Sequence, residues 1–407
     1  NTPRGRKIVA AERVDALVVG AGPAGSLAAF HLARGGARVL LTDKARFPRD
    51  KPCGGGITVR AERQLPFSID PVVEDAVNVF ELRLGYARHF SRRTREPLIR
   101  MTQRRRLDAF LVEQAREAGA EFRDGFRADD TIEAEVVIGA DGANGTTGRR
   151  AGLDDHLRTV ALEGNAAVDL ERFAGRAWIE FGVVPGGYGW VFPKGDHVNV
   201  GVGGWREEGP RLRSHLARLC RAHGIPESSL TDVRGHRLPL RRPGSTAARG
   251  RLALVGDAAG LVDPVSGDGI YEAVLSARLA AANALDIIAG READFSPYAG
   301  ELRRRLAVQA AASWRAKTAV DRFPRTTFAL LRAPLAWRGI ESLLRADAEE
   351  PADIGGPGGA ALRIAETLAR LSHLKRRTWS ADAGRVAAWT WTSSSRAPSR
   401  AAPPTSI

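Results

Sequence analysis

The sequence predicts an α/β chain (α+β overall) in which the pieces of one domain are interleaved with strand-rich insertions and followed by a helical C-terminal part. Three observations lead there. Val14–Val19 and Ala37–Thr42 are short apolar runs separated by a helix-length segment, the dimensions of a parallel strand–helix–strand unit. Two further runs of this kind, Glu135–Gly139 and Leu252–Val255, lie far downstream, and each enters a turn of glycine and aspartate. The segments between them contain stretches such as His197–Val202 that read as strands.

Val14–Val19 is apolar and mostly β-branched, a buried strand that Gly20 ends. Ala24–Arg34 reads as a helix closed by Gly35-Gly36, and Ala37–Thr42 as the second buried strand. A helix is expected over Arg106–Ala118, and Glu135–Gly139 is a short buried strand entering Ala140-Asp141-Gly142. Leu252–Val255 runs into Gly256-Asp257, followed by a long helix from Gly269 to Ala289. Residues 301–345 look helical and Arg-rich, and from residue 351 the pattern gives way to Gly, Pro and Ser clusters. The expected layout is a Rossmann-like domain from 12–62, 100–150 and 250–300, with a β-sheet substrate domain from 63–99 and 151–249. A helical segment over 301–350 and a disordered or loosely packed tail over 351–407 complete it.

Hydrophobic content of 43% and charged content of 27% over 407 residues are those of a soluble globular chain. The longest apolar stretches, such as Leu275–Ile288, are interrupted by charges and fall short of the ~20 residues that span a bilayer. The chain starts on a polar, basic stretch without an apolar leader, and two cysteines make no disulfide framework, so a cytoplasmic compartment is expected. A net charge of +14 suits an anionic partner, yet Arg is scattered through an Ala- and Gly-rich chain without a recognition motif. No nucleic-acid partner is therefore expected, whereas peripheral contact with an anionic membrane surface is compatible with the charge. Neither the two cysteines nor the scattered histidines form a metal-ligand pattern, and no GxSxG elbow marks a hydrolase. The sequence does not set an oligomeric state.

The first chemical motif is GAGPAG at Gly20–Gly25. Gly20 permits a tight turn, Gly22 lets the backbone approach a pyrophosphate, and Gly25 allows close helix–strand packing. Pro23 and Ala24 open a helix whose free N–H groups and partial positive charge favour phosphates. Asp43, 18 residues after Gly25, ends the second strand where an acid binds ribose hydroxyls, with Lys44 beside it. An acid there selects a free 2′-hydroxyl, hence FAD or NAD.

Two later strings narrow the choice. VVIGADGAN at Val136–Asn144 places Asp141-Gly142 on a turn after a strand. LALVGDAAGLVDPVSGDGI at Leu252–Ile270 places Gly256-Asp257 at another strand end, with Pro264, Gly267, Gly269 and Ile270 leading into a helix. In these three motifs, over residues 12–300, the chain resembles the flavoprotein family of aromatic hydroxylases and geranylgeranyl reductases. The resemblance implies FAD, with Asp257 on the ribitol chain, Asp141-Gly142 near the pyrophosphate and the helix after Gly269 aimed at the isoalloxazine. It also places Arg104, within QRRRLD, close to the flavin. The alternative readings are a helix cap for Asp257 and a solvated basic helix start for Arg104.

KPCGGGIT at Lys51–Thr58 resembles the Cys-Gly-Gly motif of geranylgeranyl reductases, and YGWVFP at Tyr188–Pro193 their Tyr-x-Trp-x-Phe-Pro segment. By that resemblance Cys53, Gly54, Gly55, Tyr188, Trp190 and Phe192 contact a hydrophobic substrate, and Cys53 is a catalytic candidate. The alternatives are a small buried cysteine and strand-core aromatics. Gly145 stands where relatives carry serine, Asp268 where they carry glutamate, and the Phe122–Glu135 segment is shorter than theirs. The expected function is reduction of carbon–carbon double bonds of a prenyl substrate by reduced FAD. NAD(P)H or a reduced electron-carrier protein is the expected donor, since no second glycine fingerprint appears. The alternatives are an FAD monooxygenase or halogenase of an aromatic or polyketide-like molecule, and a non-catalytic FAD-binding protein.

Overall fold

The computed structural model describes residues 12–128, 132–240, 242 and 244–345; the expected tail over 351–407 lies outside them. A six-stranded sheet has the order Ala248–Arg249, Leu252–Leu254, Ile132–Gly139, Glu12–Val19, Val39–Thr42 and Glu121–Arg123. All its pairings are parallel except the first. The central strand is buried on both faces, Ala16 and Val18 on one and Leu17 on the other, as a parallel sheet requires. Helix α1 (Pro23–Arg34) starts on Pro23 and stops at Gly35 and Gly36, the latter at φ +87°.

Helix α2 (Arg104–Glu117) begins two residues before the sequence pattern places it. Its buried positions Arg104, Leu107, Asp108, Leu111, Val112 and Ala115 follow the i, i+3, i+4 spacing. That register buries Arg104 and leaves Arg105 and Arg106 exposed. Ile132–Gly139 also begins earlier than expected, because Ile132 pairs with Glu12 on the neighbouring strand.

A seven-stranded mixed sheet has the order Leu230–Leu240, Leu157–Ala166, Val198–Trp205, Tyr188–Pro193, Arg176–Phe181, Val79–Leu84 and Arg88–Arg93. Strand alternation divides its faces. Val191, Val198, Val200 and Val202 turn to helix α3 (Leu212–Ala222). Phe80, Leu82, Ile179, Phe181 and Phe192 turn the other way. A three-stranded sheet of Gly56–Thr58, Ile99–Thr102 and Val73–Val77 links the two.

Helix α4 (Ile270–Ile288) lays Ala273, Ala277, Ala280, Ala281 and Ala284 into the core that α1 shares. These small side chains let the two helices approach closely. The Arg-rich stretch resolves into α5 (Ser296–Arg322), α6 (Pro324–Leu331) and α7 (Pro334–Arg345). Tyr298 anchors α5: its backbone N–H donates to Asn283 Oδ1 at 2.9 Å and its hydroxyl to Leu254 O at 2.7 Å. No described helix is long and apolar enough to cross a membrane.

Candidate functional site: a cavity between the two sheets

A cavity of about 850 Å³ runs from the C-terminal ends of the parallel strands, across one face of the mixed sheet, to α5–α7. Its wall includes Gly20, Gly22, Pro23, Ala24, Asp43, Lys44 and Arg104 at one end. Asp141, Gly142, Asp257, Pro264, Gly267, Gly269 and Ile270 continue it, and Cys53, Gly54, Gly55, Tyr188, Trp190 and Phe192 face the same space. Gly25 and Gly256 stand behind the wall. Gly25 abuts Gly20, and Gly256 abuts Ala24 and Ala273.

The glycine turn leaves no room for side chains. Gly20 has φ +104°, and a Cβ there would lie 2.3 Å from Ala140 O; a Cβ on Gly25 would lie 1.8 Å from Gly20 O. Gly22 is open, with the guanidinium Nη2 atoms of Arg49 and Arg104 3.6 and 3.8 Å from where its Cβ would be. Asp43 accepts from Ala21 N at 3.0 Å and Ala45 N at 2.9 Å, which fixes its carboxylate at the end of its strand. Arg104 pairs with Asp108 at 2.7 Å, and Arg49 joins Asp108 at 2.9 Å and Asp43 at 3.5 Å. Burial opposes the charge of Arg104, but the Asp108 carboxylate outweighs it and holds the guanidinium protonated. Two cations and the start of α1 thus converge above Gly22, an arrangement suited to a diphosphate.

Asp141 folds back on its own loop. Its Oδ2 accepts from Thr146 N at 2.6 Å, Thr147 N at 2.9 Å and Thr147 Oγ1 at 2.9 Å. A Cβ at Gly145 would sit 2.1 Å from Asp141 Oδ1, so the glycine in place of serine is what admits this conformation. Oδ1 itself is buried without a hydrogen-bond partner among the described residues.

Asp257 pairs with Lys51 at 2.9 Å. Burial raises the Asp257 carboxyl, but the Lys51 ammonium more than offsets it and holds the carboxyl below its usual range. His236, on the mixed sheet, faces the same group, and its Nε2 is buried without a partner among the described residues. Burial first, then the Lys51 and Arg104 charges, push its pKa down to about 4 against the pull of Asp257. The unfolded chain takes up a proton near pH 6.5 that native His236 refuses until about pH 4. Stability is therefore fully present above pH 6.5 and lost as pH falls toward 4. His236→Gln is expected to flatten that acid-side loss, read as a smaller shift of the urea midpoint between pH 7.5 and 5 than the parent shows. Arg49, Lys51 and His236 were not singled out from the sequence. Lys51 opens the Cys-Gly-Gly string, but an arginine in an Arg-rich chain and a histidine in a strand carry no spacing signal.

Beyond the Cys53 loop the cavity turns aromatic. A Cβ on Gly54 would meet Phe192 at 3.1 Å and Trp190 Nε1 at 3.6 Å, so the bare backbone lets the rings close over it. Trp190 is both core and wall: it is 8% exposed, packs on Gly201, and donates from Nε1 to Asn199 Oδ1 at 2.8 Å. The Tyr188 hydroxyl donates to Ser266 O, and its burial raises the phenol well above its ordinary range, keeping it protonated. Phe80, Phe181, Leu331, Trp337 and Ile340 line an apolar arm that ends against α6 and α7.

The glycine cradle, the paired guanidiniums, the strand-end Asp43 and the orphaned Asp141 oxygen fit an FAD dinucleotide. A family model described as an FAD binding domain matches residues 13–65. The chloroplastic geranylgeranyl diphosphate reductase of Oryza sativa is 30% identical over 73% of this chain and 73% of its own length. Among solved structures, a geranylgeranyl bacteriochlorophyll reductase-like protein of Thermoplasma acidophilum superposes with TM-score 0.72 at 22% identity, covering 87% of this chain and 96% of that one. A flavin-dependent brominase superposes with TM-score 0.69 at 18% identity, covering 88% and 100%, which shows the shared fold. The chain belongs to the geranylgeranyl reductase family of FAD-dependent oxidoreductases.

Proposed function

We propose that this oxidoreductase reduces carbon–carbon double bonds of a hydrophobic, prenyl-type substrate. The observation that carries the reading is one continuous cavity. Its glycine-turn end suits a dinucleotide, its middle holds the Cys53-Gly54-Gly55 loop against Trp190 and Phe192, and its far arm is apolar. Bound FAD, when reduced, supplies a hydride to an alkene carbon. The residues assigned to hold it are Gly20, Gly22, Asp43, Arg49, Arg104, Asp141 and Asp257. The rigid rings of Trp190 and Phe192 orient an alkene with little entropy cost. Helices α5–α7 keep water from the apolar arm, and at the cavity's middle Asp268 Oδ1 caps the first amide of α4, accepting from Ile270 N at 2.8 Å. Tyr188, protonated and hydrogen-bonded to Ser266, and Cys53 are the side chains assigned to face the accepting carbon pair. The electron donor is assigned to NAD(P)H or a reduced carrier protein, and a lipid-dissolved prenyl chain would be reached by peripheral membrane contact.

The test is anaerobic. Dithionite-reduced protein is mixed with geranylgeranyl compounds, and the flavin spectrum and product mass are followed. Reoxidation without oxygen, with two hydrogens gained per double bond, is the expected result. A flavin that stays reduced until oxygen is admitted would overturn the reading in favour of oxygen chemistry on the same fold.

A further inference from the structure

Two buried charges close on the Cys53 peptide from the mixed sheet. Cys53 N donates to Glu163 Oε1 at 2.6 Å, and Lys194 Nζ donates to Cys53 O at 2.6 Å. Glu163 is 8% exposed and Lys194 6%, so a carboxyl and an ammonium are both held out of water, and burial raises the Glu163 carboxyl against the pull of Lys194 and the Cys53 N–H. Charge-assisted bonds of this length are the strong and directional kind.

The neighbouring residue is fixed as firmly. Gly55 has φ +87°, and a Cβ there would lie 2.7 Å from Lys194 Cε and 2.2 Å from Thr102 O. Gly55 O accepts from Thr102 N at 2.8 Å and Thr102 Oγ1 at 3.1 Å. Gly55 N in turn donates to Cys53 Sγ at 3.4 Å, which aims the thiol. On the sheet side, Glu163 registers opposite Gly201, the residue on which Trp190 packs. Lys194 directly follows Pro193, the end of the aromatic strand. The loop and the aromatic strand, far apart in sequence, are two halves of one clamp.

We propose that Glu163 and Lys194 are positioning residues that grip the Cys53 peptide from both ends and set the place of its thiol in the cavity. The inference goes beyond the activity proposed above, because it concerns the thiol whatever substrate lies against it.

The test is the rate of Cys53 alkylation by iodoacetamide at the high-pH plateau of its pH–rate profile, where the thiol is ionised in parent and variants alike, read by peptide mass spectrometry on FAD-free and FAD-loaded protein. Cys220, fully buried, is the internal reference. Glu163→Ala and Lys194→Met are each expected to speed Cys53 alkylation about tenfold, the loss of one charge-assisted bond. Glu163→Gln, which keeps an acceptor for Cys53 N, is expected to restore most of the parent rate. Should Glu163→Ala fail to fold, Lys194→Met is judged by the same criterion. Parent-like alkylation in the folded variants overturns the proposal, and so does Cys220 becoming reactive in step with Cys53. No prenyl substrate enters the measurement, so its failure is distinct from failure of the reductase reading.

Discussion

Gly25→Val is expected to yield protein that purifies colourless and binds added FAD at least about a hundredfold more weakly than the parent. The first atom of the new side chain would fall 1.8 Å from Gly20 O and 3.0 Å from Ala140 Cβ. Both neighbours belong to tight backbone: Gly20 is itself at φ +104°, with Ala140 O 2.3 Å from its own Cβ position. No flexible side chain stands in the way to yield, so α1 must slide off the strand ends and take its N-terminal amides with it. Gly36→Ala is the control. Gly36 also has positive φ, but nothing lies within 4 Å of its Cβ position, so the cost is local backbone strain at the far end of α1. Flavin absorbance per protein and a fluorescence titration separate the two. A yellow Gly25→Val protein with parent-like affinity would show that the turn is not where the dinucleotide sits.

Asp108→Ala is expected to cost about 3–5 kcal/mol of stability, read as a lowered urea midpoint. Asp108 is fully buried and accepts from Arg104 at 2.7 and 2.8 Å, with Arg49 at 2.9 Å. Removing it leaves the guanidinium of Arg104, 4% exposed, without its carboxylate and beside a second cation above Gly22. A bound diphosphate offers the missing negative charge. Saturating FAD is therefore expected to recover more stability in Asp108→Ala than in the parent. A loss under about 1 kcal/mol, or equal recovery in both proteins, would remove Asp108 from this role.

What was legible in the sequence was short-range. The turn at Gly20–Gly25 needs particular residue types within six positions, so its chemistry is written locally. The long alanine-rich face of α4 was likewise visible as a helix of the right length. The start of α2 was missed by two residues because the pattern-bearing residue there is an arginine, and only its pairing with Asp108 shows it to be buried. Ile132–Ala134 lies ahead of the apolar run that marks the strand, and it is strand because Glu12–Val14 lies beside it. Arg49 and Lys51 share one loop and His236 comes from a distant strand, so they line one cavity only in the folded molecule. The mixture of charge and alanine in α5 gave no hint that Ala312, Ala316 and Val320 line a cavity. Glu163 is one acid in an alternating strand, and nothing near it in sequence signals the peptide it holds.

The interleaved strand order has a consequence for how the chain is made. Glu12–Val19 has its partner Val39–Thr42 just beyond α1, but its other partner is Ile132–Gly139. That strand in turn waits for Leu252–Leu254. At synthesis rates of about 5–20 residues per second, the open edge of Ile132–Gly139 is left uncapped for roughly 6–20 s while the mixed-sheet segment emerges. An uncapped, apolar parallel strand invites pairing with other chains. The nascent protein is thus most prone to aggregate when about half of it exists, and strain on its yield should respond to chaperones acting at the ribosome rather than on the finished chain.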